Sequence, residues 1–241
     1  MNEKNKKDKI IIVDFGSQVT KLIARRIREL GVFSEVLTLN ELSKVKDYKL
    51  VKGIILSGGP ATVTLKKFPK IPQKVFDKKI PILGICYGLQ LLSKIFGGKV
   101  KSNRKKREFG KALLLKKKNS KLTKNFYIKN KANVLMSHQD AVVTIPDGFK
   151  KIASTKESSY TIIENSNKNI YGIQFHPEVT HTENGAEIIK NFVITICKAK
   201  RNWNIFNQKK NIISQIRNEV KNDKVICALS GGVDSSVVAL L

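Results

Sequence analysis

Cys86 lies between two glycines in the segment Gly84-Ile-Cys-Tyr-Gly88. An apolar run from Ile80 to Ile85 precedes the cysteine and a helical apolar pattern beginning at Leu89 follows it, which predicts a strand-to-helix turn at Cys86. Glycines have no Cβ and fit where a chain bends closely over itself. The pattern is typical of a cysteine nucleophile raised above a sheet at a helix N-terminus, although a buried cysteine in an ordinary turn also fits it.

A cysteine nucleophile needs a base, because only a few per cent of a free thiol is ionised at neutral pH. Three histidines are available, and His176 closes an apolar run and precedes Glu178 by two positions. Pro177 favours extended backbone between them, so both side chains point the same way and Glu178 can orient the imidazole. Taken alone, the pair is typical of a histidine at a strand end followed by an exposed glutamate. Combined with the turn at Cys86, it predicts a Cys-His-Glu triad.

Attack by a thiol on a carbonyl group produces an oxyanion, which needs N–H donors around it. The turn itself places the Tyr87 N–H beside the nucleophile. We expect a second donor at Gly59, in the Ser57-Gly-Gly-Pro60 turn that follows an apolar run. An ordinary loop is the alternative interpretation of that turn.

The elements that must position these groups alternate between strand and helix. Lys9–Asp14 predicts a buried strand, 17–31 a capped amphipathic helix, and Val32–Leu39 and Gly53–Leu56 two further strands. Short β-like runs within 109–175 predict antiparallel additions. The expected fold class is α/β, a doubly wound, mostly parallel sheet with antiparallel additions, with sites at the carboxyl ends of the strands.

The last forty residues have a different pattern. Residues 201–223 predict a linker and an amphipathic helix, and Lys224–Leu229 predicts a strand. A glycine-rich turn then leads into another helix, and its backbone N–H groups could hold phosphate oxygens. The turn comprises Ser230, Gly231, Gly232, Val233, Asp234, Ser235 and Ser236.

Composition restricts the class of protein. The chain has 241 residues, of which 41% are hydrophobic, and it contains no apolar run long enough to span a membrane. Its N-terminus has no signal-peptide core, so we expect a cytoplasmic protein without a membrane partner. Three cysteines without ligand spacing favour neither disulfides nor a metal site.

The formal net charge of +27 raises the question of a nucleic-acid partner. Lysines are spread along the whole chain, and Lys101–Arg107 is the one dense cluster. A compositional bias toward Lys, Asn and Ile explains this distribution, so nucleic-acid binding through that cluster is the less favoured hypothesis.

The chain resembles the class I glutamine amidotransferase family in two segments, Gly84-Ile-Cys-Tyr-Gly-Leu-Gln90 and His176-Pro-Glu178. The resemblance implies that Cys86 attacks the glutamine side-chain amide, forming a γ-glutamyl thioester and ammonia. His176 would act as general base and acid and Glu178 would orient it. Gln90 would help to hold glutamine, and no cofactor is implied for this half-reaction.

The resemblance is closer to those family members that aminate xanthosine 5′-monophosphate (XMP) to GMP. It then covers nearly the whole chain: 1–200 as amidotransferase domain, 201–223 as linker and helix, and 224–241 as the truncated start of an ATP pyrophosphatase domain. The full enzyme would use Mg-ATP and XMP and would be a homodimer, and GMP synthesis is not expected from this chain alone. The further segments that carry this resemblance are Asp14-Phe-Gly-Ser-Gln18, Leu22-Ile-Ala-Arg-Arg26, Ser57-Gly-Gly-Pro60, Gln174-Phe-His-Pro-Glu-Val-Thr-His-Thr182 and Ser230-Gly-Gly-Val-Asp-Ser235.

One departure bears on activity. The family usually has Ser-His-Gly-Asp where this chain has Ser137-His-Gln-Asp140. The resemblance implies that this turn borders the glutamine pocket, with Ser137 and His138 as substrate-binding residues. Gln139 would disturb the turn if the position required positive φ. A catalytically idle interaction module with the same fold is therefore the alternative hypothesis. We interpret His138 and His181 as structural or interfacial residues.

Overall fold

A computed structural model describes residues 7–65, 68–102 and 108–240. Residue contacts divide the chain into two units, Met1–Asn202 and Trp203–Leu241. The strands of the first unit are β1 (Lys9–Asp14), β2 (Phe33–Thr38), β3 (Val51–Leu56), β4 (Ile82–Ile85), β5 (Lys99–Ser102), β6 (Glu108–Lys116), β7 (Lys131–His138), β8 (Asp140–Thr144), β9 (Lys150–Ser154), β10 (Ile162–Asn165) and β11 (Ile170–Ile173). Its helices are α1 (Thr20–Glu29), α2 (Leu39–Lys44), α3 (Gln73–Asp77), α4 (Tyr87–Ile95) and α5 (Gly185–Lys190), and a π-helical segment, Asn191–Ile196, continues α5.

The larger sheet has nine strands in the described residues, in the order β2-β1-β3-β4-β11-β10-β9-β6-β7. The first five of these are parallel, and the remaining four extend the sheet antiparallel. Strands β5 and β8 form a separate antiparallel ribbon. The predicted doubly wound α/β fold with antiparallel additions is confirmed.

Alternate side chains of β1 enter two different cores, because a strand presents successive residues to opposite faces. Ile10 and Ile12 pack with α1, α5 and the π-helical segment on one face. Ile11 and Val13 pack with α2, α3 and α4 on the other. Helices therefore cover both faces of the parallel half, which is why its strands are apolar throughout.

The chain leaves β1 for β2 on one side and returns to β3 on the other. In an open parallel sheet, such a reversal creates a crevice at the carboxyl ends of the strands. The turns after β1, β3, β4 and β11 all lie at that edge. The fold thus brings Phe15, Gly59, Cys86 and His176 to one end of the sheet.

The second unit contains α6 (Ile205–Val220) and α7 (Val233–Leu240). The predicted strand at Lys224–Leu229 is wrong: this segment has no regular secondary structure. A strand needs a hydrogen-bonded neighbour, and Val225 and Ile226 are 67% and 96% exposed.

Across the described residues, no helix combines the length and the apolar character needed to cross a membrane.

We expect Gly53→Ala to destabilise the first unit, because a Cβ at this position in β3 would overlap the Cys197 sulfur. Ile10 Cδ1, at 3.2 Å, leaves little room for adjustment. The expected loss is about 1–3 kcal/mol of unfolding free energy, measured by urea denaturation.

Cys197→Ala is the matched partner variant. It removes the overlapping sulfur, so Gly53→Ala should cost less in that background than in the parent chain. Equal costs in both backgrounds would show that the Cys197 sulfur does not limit this position.

Candidate active site

Cys86 occupies a strained turn between β4 and α4, with φ 52° and ψ −104°. Positive φ is unusual for a residue with a side chain and is found where the surrounding structure enforces it. A Cβ at Gly84 would meet the Gly88 backbone, and one at Gly88 would meet Leu56 O of β3. The two glycines therefore allow strand and helix to touch, which confirms the predicted turn.

His176 and Glu178 form a buried pair, with 2.8 Å between His176 Nδ1 and Glu178 Oε1. The Glu178 side chain is fully buried. His176 does not end a strand as predicted, because β11 stops at Ile173 and Pro177 and Glu178 form a turn. The carboxylate still reaches the imidazole, by this turn rather than by extended backbone.

The pKa of His176 reflects two opposed effects. Burial disfavours the charged imidazolium, but hydrogen bonds to Cys86 and Glu178, together with their negative charges, raise the pKa to about 10. The imidazolium is therefore the favoured form at neutral pH.

Gly58 lies against the His176 ring, since a Cβ at position 58 would be 3.2 Å from His176 Cε1.

A cavity of about 430 Å³ opens beside Cys86. This volume is within the range of roughly 300–1,000 Å³ found for small-molecule sites. The candidate residues Gly59, Tyr87, Gln90, Ser137 and His138 all line the cavity.

Gly59 also has a structural reason to be glycine. A Cβ at this position would be 2.5 Å from Phe15 O, so the loop after β3 packs directly on the loop after β1. Phe15 N–H donates to Ser57 Oγ at 3.1 Å and joins the same two loops.

Gln139 lines the cavity and is exposed. It is not among the residues with positive φ, so the backbone at this position does not require glycine. The physical reason for expecting Gln139 to disturb the turn is thus removed.

His138 is buried, and both of its ring nitrogens are engaged. Nε2 lies 3.1 Å from Glu108 Oε2 and Nδ1 lies 3.0 Å from Asp140 O. Thr155 donates to the other Glu108 oxygen at 2.7 Å. The His138 ring therefore holds the wall of the cavity together, whereas His181 is exposed.

The sequence interpretation missed Gln174 as a site residue. This side chain is fully buried, and its Nε2 lies 3.6 Å from Cys86 Sγ while its Oε1 accepts from Gln90 Nε2 at 3.4 Å. Gln90 Nε2 also donates to Asp140 O at 2.7 Å. A polar residue inside the apolar run before His176 was the available signal.

The Ser230–Ser236 turn belongs to the second unit. Gly231 has φ 77°, and Ser235 Oγ donates to Gly232 O at 3.0 Å just before α7.

Of the basic cluster Lys101–Arg107, residues 103–107 lie outside the described residues. Within the described part of the chain, no three His, Cys, Asp or Glu side chains are grouped as a metal site.

Residues 11–196 match the family model described as glutamine amidotransferase class-I. The chain belongs to this family. Cys86, His176, Glu178 and the residues that line the cavity lie within the matched residues.

Two curated relatives of this amidotransferase are named "GMP synthase [glutamine-hydrolyzing]". The one from Brachyspira hyodysenteriae is 49% identical over 239 residues, and the one from Fusobacterium nucleatum is 51% identical over 237. Each alignment covers 98% of this chain and 46% of the relative. The chain therefore spans about half the length of the curated relatives that it matches.

Solved structures agree with the fold. A Thermoplasma acidophilum protein described as one component of a GMP synthase superposes with a TM-score of 0.71 at 30% identity, covering 85% of this chain and 98% of its own. A Thermotoga maritima glutamine amidotransferase superposes with a TM-score of 0.60 at 20% identity, over 85% of each chain. The second similarity concerns the fold alone.

We expect the His176 imidazole to remain protonated until about pH 10, because Cys86 and Glu178 stabilise its charge. Glu178→Gln removes a negative acceptor from Nδ1 and should lower the titration midpoint by about 1–3 pH units. Imidazole ¹⁵N shifts followed against pH measure this directly.

Cys86→Ala is the companion variant and should also lower the His176 midpoint, because it removes the other negative partner. A midpoint that stays in place in both variants would contradict this account of the charge.

Proposed function

We propose that this chain hydrolyses L-glutamine to L-glutamate and ammonia, with Cys86 as nucleophile, His176 as general base and acid, and Glu178 as the residue that orients His176. The observation that carries the proposal is the buried His176–Glu178 pair, with 2.8 Å between Nδ1 and Oε1, together with Cys86 in a strained turn that lines the cavity.

The first half-reaction forms a bond between Cys86 Sγ and the carboxamide carbon of glutamine. The carbonyl electrons move onto oxygen and then return, and the C–N bond breaks. The His176 imidazolium gives its proton to the departing nitrogen, which leaves as ammonia. A γ-glutamyl thioester on Cys86 remains.

The second half-reaction releases glutamate. Neutral His176 takes a proton from water, whose oxygen attacks the thioester carbon. The C–S bond then breaks, and the Cys86 thiolate and the His176 imidazolium are restored. Throughout, His176 Nδ1–H donates to Glu178, which keeps the other ring nitrogen directed at the reacting atoms.

The oxyanion in both steps needs donors already in place. We assign one to Tyr87 N–H, which lies at the first position of α4, where N–H groups have no partner within the helix. We assign the second to the N–H of Gly59, which also lines the cavity.

We assign recognition of the amino-acid end of glutamine to Gln90, Ser137 and His138. Both hydrogens of the Gln90 amide are used by Asp140 O and Gln174, which leaves its carbonyl oxygen to accept from the substrate. The His138 ring is engaged as well, so the contribution of His138 is through its main chain.

We further propose that the ammonia serves an ATP-dependent amination of XMP to GMP, as the names of the relatives support. The domain boundaries proposed are 1–200, 201–223 and 224–241, in a cytoplasmic homodimer. The turn from Ser230 to Ser236 is exposed from Ser230 to Asp234 and has open space around Gly231, so it would accept a phosphate group of ATP. Mg-ATP, when bound, would supply the activation of XMP.

Glutaminase activity is the decisive measurement. We expect ammonia release from L-glutamine, coupled to glutamate dehydrogenase, to fall by about 10³–10⁴-fold in Cys86→Ala. An electrophilic glutamine analogue should label Cys86 in the parent chain, as located by mass spectrometry.

Cys227→Ser is the control, because Cys227 is an exposed thiol of the second unit. Its ammonia release should equal that of the parent. A folded chain that neither releases ammonia nor takes up the analogue at Cys86 would favour the idle interaction module.

A further inference from the structure

The loop that carries His176 and Glu178 lies beyond the hydrogen-bonded part of β11. We call residues 174–183, between Ile173 and α5, the catalytic loop. The β11 ladder ends at the pair Ile162 and Ile173, so sheet pairing does not fix the backbone of His176. Other contacts must set the distance between its imidazole and Cys86.

Those contacts come from β7, at the edge of the nine-stranded sheet. His176 N–H donates to Leu135 O at 3.2 Å. The Thr182 hydroxyl donates to His176 O at 2.6 Å and accepts from Leu135 N–H at 3.0 Å. Thr182 is 4% exposed, so water cannot easily replace the hydrogen bonds of its hydroxyl group.

The same strand also contacts the nucleophile. Cys86 Sγ lies 3.6 Å from Ser137 O, and Ser137 follows Leu135 by two positions in β7. Strand β7 therefore contacts the His176 backbone through Leu135 and the Cys86 sulfur through Ser137. The hydrogen bonds of Thr182 thus fix His176 to the same strand that contacts Cys86.

We propose that Thr182 is a positioning residue for the glutaminase reaction: its hydroxyl joins His176 O to Leu135 N–H and thereby fixes the imidazole relative to Cys86. The proposal rests on the proposed function. Thr182 acts through His176 and is not a catalytic residue.

A second tie keeps the catalytic loop on β7 when the hydroxyl is removed. Asn133 N–H and Nδ2 donate to the two carboxylate oxygens of Glu183 at 2.9 and 2.8 Å. Glu183 N–H donates to Asn133 O at 2.9 Å. We therefore expect Thr182→Val, which preserves the side-chain shape, to fold.

The test compares Thr182→Val with Thr182→Ser and Thr180→Val in the full chain. Thr182→Ser keeps the hydroxyl, and Thr180 is an exposed threonine of the same loop that serves as the matched control. We expect Thr182→Val to lower kcat by about 10²-fold with KM changed less than about 2-fold. The other two variants should stay within about 3-fold of the parent.

Two readouts do not need glutamine turnover. Thr182→Val should slow alkylation of Cys86 by iodoacetamide and displace the His176 imidazole ¹⁵N signals, while Thr182→Ser and Thr180→Val leave both as in the parent. If the parent releases no ammonia, the proposed function fails, and these two readouts still decide the role of Thr182.

Parent-like kcat, Cys86 alkylation and His176 signals in folded Thr182→Val would overturn the proposal. So would Thr182→Ser impaired as strongly as Thr182→Val, because the hydroxyl would then not be the cause. If Thr182→Val does not fold, Thr182→Ala removes the same hydroxyl with less bulk and is judged by the same outcomes.

Discussion

The close contact of backbone at Cys86 is the constraint on which the site depends. Gly84 in β4 and Gly88 in α4 lie against each other, and Gly88 also lies against Leu56 O of β3. Within this contact Cys86 has positive φ, and it lines the cavity. The strain is maintained because two strands and a buried helix surround the turn.

The parallel sheet turns this local feature into a site. Strands β1, β3, β4 and β11 run in the same direction, so the turns that follow them share one edge. Gly59 from one turn and His176 from another thereby come close to Cys86, although they are 27 and 90 residues away from it along the chain. The antiparallel strand β7 adds Ser137 and His138 to the lining of the cavity.

Burial gives the site its electrostatics. Glu178 and His176 are nearly excluded from water, and two negative partners outweigh the cost of burying the imidazolium. At the wall of the cavity, Glu108 forms hydrogen bonds with both His138 and Thr155. The wall is therefore polar, but these polar groups are hydrogen-bonded to each other. An unpaired group there would cost more than a surface one.

The alternation of strands and helices, the turn at Cys86 and the pairing of His176 with Glu178 could be predicted from the sequence, because they depend on local spacing and periodicity. Three features came only from the tertiary structure: the turn by which Glu178 reaches His176, the contacts of Gln174 with Cys86 and of Thr182 with His176, and the packing of Gly59 on Phe15. These are contacts between distant segments, which no local pattern encodes. The same reason explains Lys224–Leu229: its β-like pattern was present, but a strand forms only beside a partner.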